Sequence, residues 1–260
     1  MRLKVVNRCY TIQVQKDEGE VMSLDSFCNL YEMGAIVIGI LLCLFRYIKY
    51  QTKSWIFAVL FLLSNFLSSF YWAVYTFIIE DDPITSDFMA YFGWDIGFVF
   101  LLLLLRHVQS REEKRYINLI MFLPVPLNII QFYLYIPYGG IINNIYQGII
   151  CTVIACVSLQ SILYYLKHRR ERIKSPYVAV VALLFITCNY GMWTSTCFSW
   201  DDDLTNPYYY FSLVGFSLYI IIVWALQKTY DTDSEAFRSR PLPASYDRER
   251  SCHTGCRRSA

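Results

Sequence analysis

The sequence predicts an all-α membrane protein: a seven-transmembrane helix bundle with its N-terminus outside the cell and its C-terminus in the cytoplasm. The first observation is composition, because 56% of the 260 residues are hydrophobic, 18% are aromatic and only 17% are charged. This is poorer in charge than a soluble domain. The second observation is that long apolar stretches alternate with short polar connections. Together they predict a multi-pass protein of the cell membrane whose solvent is the lipid bilayer.

Seven stretches are long enough, at about 20 residues each, to cross a hydrocarbon core of roughly 30 Å as helices. The fourth is the least regular, because Pro124 and Pro126 remove backbone donors. We expect these prolines to kink or split that helix. In chain order the predicted spans are residues 29–48, 54–79, 87–106, 116–136, 141–166, 176–199 and 206–227.

Basic side chains indicate the orientation of the spans. Residues 54–105, 116–166 and 175–227 contain no lysine or arginine, so each is read as two helices joined by an outer loop. Basic residues gather in the loops between these stretches, which the positive-inside rule assigns to the cytoplasm. They are Arg46, Lys49 and Lys53; Arg106, Arg111, Lys114 and Arg115; and Lys167, Arg169, Arg170, Arg172 and Lys174.

The two ends of the chain differ from the bundle, predicted at residues 29–230. Residues 1–28 are predicted to be an extracytoplasmic segment, although their four basic residues oppose that placement. A start at Met22 would remove all four, so we expect residues 1–21 to be mobile or not native. Residues 231–260 are rich in Arg, Ser and Pro, which predicts a disordered basic cytoplasmic tail. That tail is too short for a catalytic domain of about 100 residues.

Asp95 is the polar residue in the predicted spans that most clearly suggests function. A lone aspartate costs about 3 kcal/mol at mid-bilayer on insertion scales. Asp95 stands in the third stretch, roughly 12 Å below its outer end at 1.5 Å per residue. One interpretation is a structural hydrogen bond to a neighbouring helix. The other is ligand or proton sensing.

Amides and aromatic residues at similar depth extend this candidate into a predicted small-molecule site. Aromatics with a few amides and one acid are typical of ligand pockets. The simpler alternatives are that the amides join helices and that the aromatics belong to the interfacial belt. The predicted ligand-binding residues are Asp95, Trp94, Trp72, Asn65, Gln147, Asn189 and Trp193.

Signals for catalysis are weak. His107 and His168 lie in basic loops, and His253 stands between two cysteines of the tail with no fourth metal ligand. Phosphate-binding glycine loops are absent. We therefore expect no catalytic residues, no metal, no cofactor and no nucleic-acid partner, which favours a protein that is not an enzyme.

Four short motifs carry a resemblance to a known family. They are residues 70–75 (FYWAVY), 89–95 (MAYFGWD), 123–128 (LPVPLN) and 190–195 (YGMWTS). Over residues 22–230 the chain resembles the N-terminal seven-transmembrane input region of membrane sensor histidine kinases of Firmicutes type. In that family the seventh helix continues into a histidine kinase or hybrid kinase domain. The resemblance implies a sensor of a small ligand or of the membrane state, with a cytoplasmic kinase or a homodimer as partner.

The chain departs from this family after Tyr230, where no signalling domain follows. We expect a truncated or shifted reading frame, or a receptor half that acts through a partner. A small multi-pass transporter stays open as an alternative, although only the fourth stretch carries internal prolines where transporters commonly break several helices. An intramembrane enzyme of the terpene-cyclase type is disfavoured, because Ala73 follows Trp72 where that family has a glutamate.

Overall fold

The computed structural model describes residues 24–74, 84–135, 141–168, 175–196, 198 and 205–238. Every regular element in this part of the chain is helical. The helices are α1 (Leu24–Tyr50), α2 (Lys53–Val74), α3 (Ile84–Val108), α4 (Arg111–Arg115), α5 (Pro124–Tyr135), α6 (Ile141–Lys167), α7 (Tyr177–Thr196) and α8 (Pro207–Arg238), with a 3-10 helix at Leu119–Phe122.

Six of the described helices are long and apolar enough to cross a membrane, namely α1, α2, α3, α6, α7 and α8. Large apolar side chains cover the outside of these helices. Leu41, Phe45 and Ile48 of α1, for example, are 62%, 65% and 74% exposed. Continuous apolar surface of this kind is rare on water-soluble monomers. The chain is therefore a membrane-embedded, multi-pass helical protein whose outer surface contacts lipid.

The six long helices form a closed ring. Helix α1 packs beside α2 and α8, α2 beside α3, α3 beside α6, α6 beside α7, and α7 beside α8. Four aromatic side chains fill the middle of the ring, with Phe185 contacting Phe61, Phe98 and Tyr219 at centroid distances of 5.7, 6.0 and 5.2 Å. Aromatic pairs at these distances bury large apolar areas in specific geometries. This aromatic centre fixes α2, α3, α7 and α8 against one another.

The predicted fourth span, residues 116–136, is split as its prolines suggested. A 3-10 helix ends at Phe122 and α5 begins at Pro124. Both prolines fall in the first turn of α5, where a missing N–H breaks no helical hydrogen bond. Helix α5 packs against α6 and α7, outside the six-helix ring. The apolar part of this segment, Leu119–Leu134, is shorter than the six long spans.

Hydrogen bonds join neighbouring helices at one end of the bundle. There the Tyr230 hydroxyl donates to Ser54 Oγ at 2.7 Å, joining α8 to the start of α2. Gln109 donates to Ser161 Oγ at 2.7 Å, joining the end of α3 to the last part of α6. We call this the basic end, because the described lysines and arginines lie there or on helix extensions beyond it. They are Arg46, Lys49, Lys53, Arg106, Arg111, Lys114, Arg115, Lys167, Lys228 and Arg238.

Two helix boundaries differ from the predicted ones. Helix α1 begins at Leu24, inside the predicted N-terminal segment. The boundary predicted at residue 231 for the disordered tail is wrong, because α8 continues to Arg238. A 2.6 Å hydrogen bond from Gln227 to Asp231 spans one turn at this point and supports the helix. The predictions for residues 1–21 and 239–260 concern positions outside the described residues.

Candidate functional site

Close packing of α2 against α3 positions the first group of predicted site residues. Gly97 of α3 lies directly against the Asn65 side chain. That side chain occupies the space that a Cβ atom at position 97 would need. Small residues allow such close approach of helices in a membrane. One turn away, Trp94 Nε1 lies 3.4 Å from Ser69 Oγ of α2. The Trp94 ring also packs against Trp72 at a centroid distance of 6.4 Å.

A buried row of hydrogen-bonding side chains runs from this interface to α1 and α8. The Tyr219 hydroxyl lies 3.0 Å from Asn65 Oδ1 and 3.5 Å from Glu32 Oε1. Ser69 also lies beside the Glu32 carboxyl group, close enough to interact with it electrostatically. Asn65, Tyr219, Ser69 and Glu32 are only 1%, 3%, 4% and 6% exposed. We call Trp94, Ser69, Glu32, Tyr219 and Asn65 the polar chain; it connects α3, α2, α1 and α8.

Sequence reasoning missed Glu32. This residue lies only three positions inside the predicted start of the first span, residue 29, where an acid is easily read as interfacial. In the structure α1 begins earlier, at Leu24, and Glu32 is buried. The signal that could have identified it is the same one that identified Asp95: an acid inside an apolar run is expensive in lipid.

Asp95 faces a different neighbour from Trp94. It lies within electrostatic range of the Cys151 thiol of α6. Its Oδ1 atom is buried and has no hydrogen-bond partner among the described residues. Gln147 is buried on the same face of α6, one turn before Cys151. Asp95 and Gln147 therefore belong to the contact between α3 and α6.

The remaining two predicted residues lie on α7. Asn189 donates to the Phe185 carbonyl of its own helix at 2.9 Å. Trp193 packs edge-on against Tyr190 at 6.3 Å, and Tyr190 donates to Asn128 Oδ1 of α5 at 3.2 Å. The described contacts of Asn189 and Trp193 thus stay within α7, and Tyr190 links this part of α7 to α5. The seven predicted residues fall into three groups: Trp72, Trp94 and Asn65; Asp95 and Gln147; Asn189 and Trp193.

A second set of polar residues joins the helices at the basic end. Gln109 Nε2 donates to Ser161 Oγ at 2.7 Å and to the Val157 carbonyl at 3.2 Å. Gln160 Nε2 donates to the carbonyls of Tyr116 and Lys114 at 2.7 and 3.3 Å. We call Gln109, Gln160 and Ser161 the glutamine cluster. It binds the end of α3 and the segment before α5 to α6.

The chemistry open to the polar chain and Asp95 is hydrogen bonding and proton exchange. Within the described ranges, no three or more His, Cys, Asp or Glu side chains are grouped so that they could hold a metal ion. The hydroxyl groups of the polar chain can each donate and accept. Asp95 adds a buried carboxyl oxygen that has no hydrogen-bond partner among the described residues.

Comparison with known proteins assigns no family: no family model matches the chain, and neither a curated protein nor a solved structure matches it.

Proposed function

We propose that this chain is a membrane-embedded sensory module that detects a small ligand or the state of the membrane and signals through α8. One observation carries the proposal. Helix α8 holds Tyr219 of the polar chain and continues without a break to Arg238, beyond the end of its apolar span at Thr232. A change in hydrogen bonding at Tyr219 can therefore reach the region beyond the membrane through one continuous helix.

Asp95 is the proposed point at which a ligand acts. It follows Trp94 directly in α3, and Trp94 is the α3 member of the polar chain. A ligand group that binds Asp95 on the α6 side would displace α3 against α2 and alter the contact between Trp94 and Ser69. Signalling of this kind requires two helix arrangements separated by a few kcal/mol, with different ligand affinity.

We infer that the chain crosses the membrane seven times. The support is that α3 and α6 run in the same direction, since Asp95 lies near Cys151 at one end and Gln109 bonds Ser161 at the other. The segment that joins two parallel neighbours must return across the membrane. The 3-10 helix and α5 together extend about 26 Å at 2.0 and 1.5 Å per residue. That length is close to the roughly 30 Å of a hydrocarbon core.

We infer that the basic end faces the cytoplasm and that the start of α1 lies outside. The support is the clustering of described lysines and arginines at that end or beyond it. Short loops rich in these residues are retained on the cytoplasmic side. In this orientation α8 leaves the membrane into the cytoplasm, where a kinase or a second copy of the chain would receive the signal.

A kinase chimera tests the sensory role. Residues 1–238 are fused to the dimerisation and catalytic region of a histidine kinase, and autophosphorylation is measured in proteoliposomes for the wild type, Asp95→Asn and Tyr219→Phe. We expect each substitution to change activity by about fivefold or more, the lower end of typical coupling between sites. Membrane insertion of both variants should be unchanged.

The matched control is Tyr31→Phe, because the Tyr31 hydroxyl forms a separate 2.6 Å hydrogen bond between α1 and α8, to Ser217 Oγ. It should leave activity near the wild-type value. Equal activity of wild type, Asp95→Asn and Tyr219→Phe at every fusion junction tried would contradict signalling through α8. An effect of Tyr219→Phe without one of Asp95→Asn would remove Asp95 from the mechanism.

Transport is the second candidate function, and the open oxygen of Asp95 favours it. A buried carboxyl oxygen without a partner among the described residues is a suitable relay for protons or a cationic solute. Proton flux into proteoliposomes, followed with an internal pH-sensitive dye, tests it. Flux that Asp95→Asn abolishes would favour transport, whereas flux equal to that of protein-free liposomes would count against it.

A further inference from the structure

The hydrogen bonds around Asn65 and Tyr219 can be assigned a direction. Asn65 Nδ2 lies 2.7 Å from the Phe61 carbonyl oxygen, which can only accept, so the amide nitrogen must face it. Asn65 Oδ1 therefore faces the Tyr219 hydroxyl at 3.0 Å and can only accept as well. A tyrosine hydroxyl has a single hydrogen. Tyr219 therefore donates that hydrogen to Asn65 Oδ1.

Glu32 consequently faces the lone pairs of Tyr219. The two oxygens are 3.5 Å apart. An ionised carboxylate is also purely an acceptor, so it would face Tyr219 with no hydrogen between them. A neutral carboxyl group supplies the missing hydrogen and donates it to Tyr219. The protonated form of Glu32 is thus the one that completes the contact between α1 and α8.

The other end of the polar chain agrees with this direction. Trp94 Nε1 can only donate, and it lies 3.4 Å from Ser69 Oγ. Ser69 is then free to donate its own hydrogen to the Glu32 carboxyl group. With Glu32 protonated, the bonds run in one direction from Trp94 through Ser69, Glu32 and Tyr219 to Asn65. Each hydrogen in the row is used once.

Within the described part of the chain, the groups in contact with Glu32 carry no compensating positive charge. From α2 the facing group is Ser69, which does not ionise, and from α8 it is Tyr219, whose other partner is the neutral Asn65. On α1 itself Cys28 lies one turn earlier. An ionised carboxylate buried in a membrane bundle without a cation is strongly disfavoured. We infer that Glu32 is a proton-binding site, occupied at neutral pH, whose proton joins α1 to α8.

A monovalent cation is the competing occupant, since the same oxygens could ligate sodium. The direct 3.0 Å contact between Tyr219 and Asn65 favours the proton. The two oxygens are close enough to share the Tyr219 hydrogen directly, an arrangement that needs no cation. Loss of the proton would force Tyr219 to turn its hydrogen towards Glu32 and leave Asn65 Oδ1 without a donor. The proton therefore decides whether α8 bonds to α1 and α2 together or to one of them.

Infrared spectroscopy of the full chain in liposomes tests this inference, which does not depend on the sensory role. At neutral pH we expect a C=O stretching band of a protonated carboxylic acid that Glu32→Gln removes and Asp95→Asn retains. Tyr219→Phe should shift the band, because the acid loses its acceptor. Tyr31→Phe should leave it in place, since its partner Ser217 is not part of the polar chain.

Three outcomes would overturn the proton site. They are a wild-type spectrum with only a carboxylate band at neutral pH, a protonated-acid spectrum that Glu32→Gln leaves unchanged, and a carboxylate band that shifts when sodium replaces a bulky organic cation. If Glu32→Gln fails to fold, the wild-type titration with pH and the Tyr219→Phe shift decide the question. A band that neither rising pH removes nor Tyr219→Phe shifts would then contradict the inference.

Discussion

The polar chain joins helices within their membrane spans and the glutamine cluster joins them at the basic end, and the two are built from different groups. In the glutamine cluster, amide N–H groups donate mostly to backbone carbonyls, as from Gln160 to Tyr116 and Lys114. Neither partner in such a bond can exchange its role. In the polar chain, hydroxyl and carboxyl groups meet side chain to side chain, and each can donate or accept. The basic end is therefore fixed, whereas the polar chain can change its hydrogen bonding without losing its packing.

This difference indicates where the bundle can move. The fixed end holds α3 to α6 through Gln109 and Ser161 at 2.7 Å. Movement of α3 that starts near Asp95 would pivot about that end and be largest at the polar chain. Two arrangements of the same buried groups, rather than a loosely packed region, would then form the basis of a switch.

The largest expected effect comes from breaking the fixed end with Gln160→Leu. The substitution removes the donor of two backbone carbonyls and the acceptor of the Arg106 guanidinium at 3.3 Å. Unsatisfied groups of this kind cost about 1–3 kcal/mol each. Unfolding in mixed micelles of increasing denaturing detergent should show a clear loss of stability. Ile149→Ala, at a side chain 55% exposed to lipid, is the control and should change stability much less.

An intermediate effect is expected from breaking the polar chain with Tyr219→Phe. Asn65 Oδ1 loses its donor, so we expect a loss of about 1–2 kcal/mol, in the upper part of the range measured for hydrogen bonds within membranes. Tyr31→Phe should cost only about 0.6 kcal/mol, the average for such bonds. Its partner Ser217 keeps a 2.8 Å hydrogen bond to the Leu213 carbonyl. Equal losses in the same detergent titration would show that the polar chain has no special role.

The smallest effect is expected from Glu32→Gln. A glutamine amide has the shape of a protonated glutamate and offers an N–H donor to Tyr219, so stability should change by less than about 0.6 kcal/mol. Because glutamine does not titrate, the pH dependence of stability that Glu32 contributes should be absent from this variant. A loss as large as that of Tyr219→Phe would mean that Glu32 is ionised in the native protein.

Hydrophobic runs predicted the six long helices well, because a span of lipid demands a fixed length of apolar chain. Pro124 and Pro126 predicted the split before α5. The polar chain could not be predicted, because it joins Glu32 to Tyr219, residues that lie 187 positions apart. The sequence could have predicted that Trp94 and Asp95 face different neighbours, since consecutive helical residues differ by about 100°.

The composition of residues 231–238 did not predict that α8 extends past residue 230. Residues 231–238 are mostly polar, which by itself favours disorder. Their helical state continues from the apolar part of α8, and the Thr232 hydroxyl donates to the Lys228 carbonyl within it. Extending an existing helix is far easier than nucleating one.

Hydrogen exchange along α8 tests most directly whether the polar chain governs the helix beyond the membrane. Amide exchange of Lys228 to Arg238 would be compared by mass spectrometry in lipid nanodiscs for the wild type, Tyr219→Phe, Tyr31→Phe and Gln160→Leu. We predict faster exchange of these amides in Tyr219→Phe and wild-type exchange in Tyr31→Phe and Gln160→Leu. Identical exchange in the wild type and Tyr219→Phe would contradict control of α8 by the polar chain.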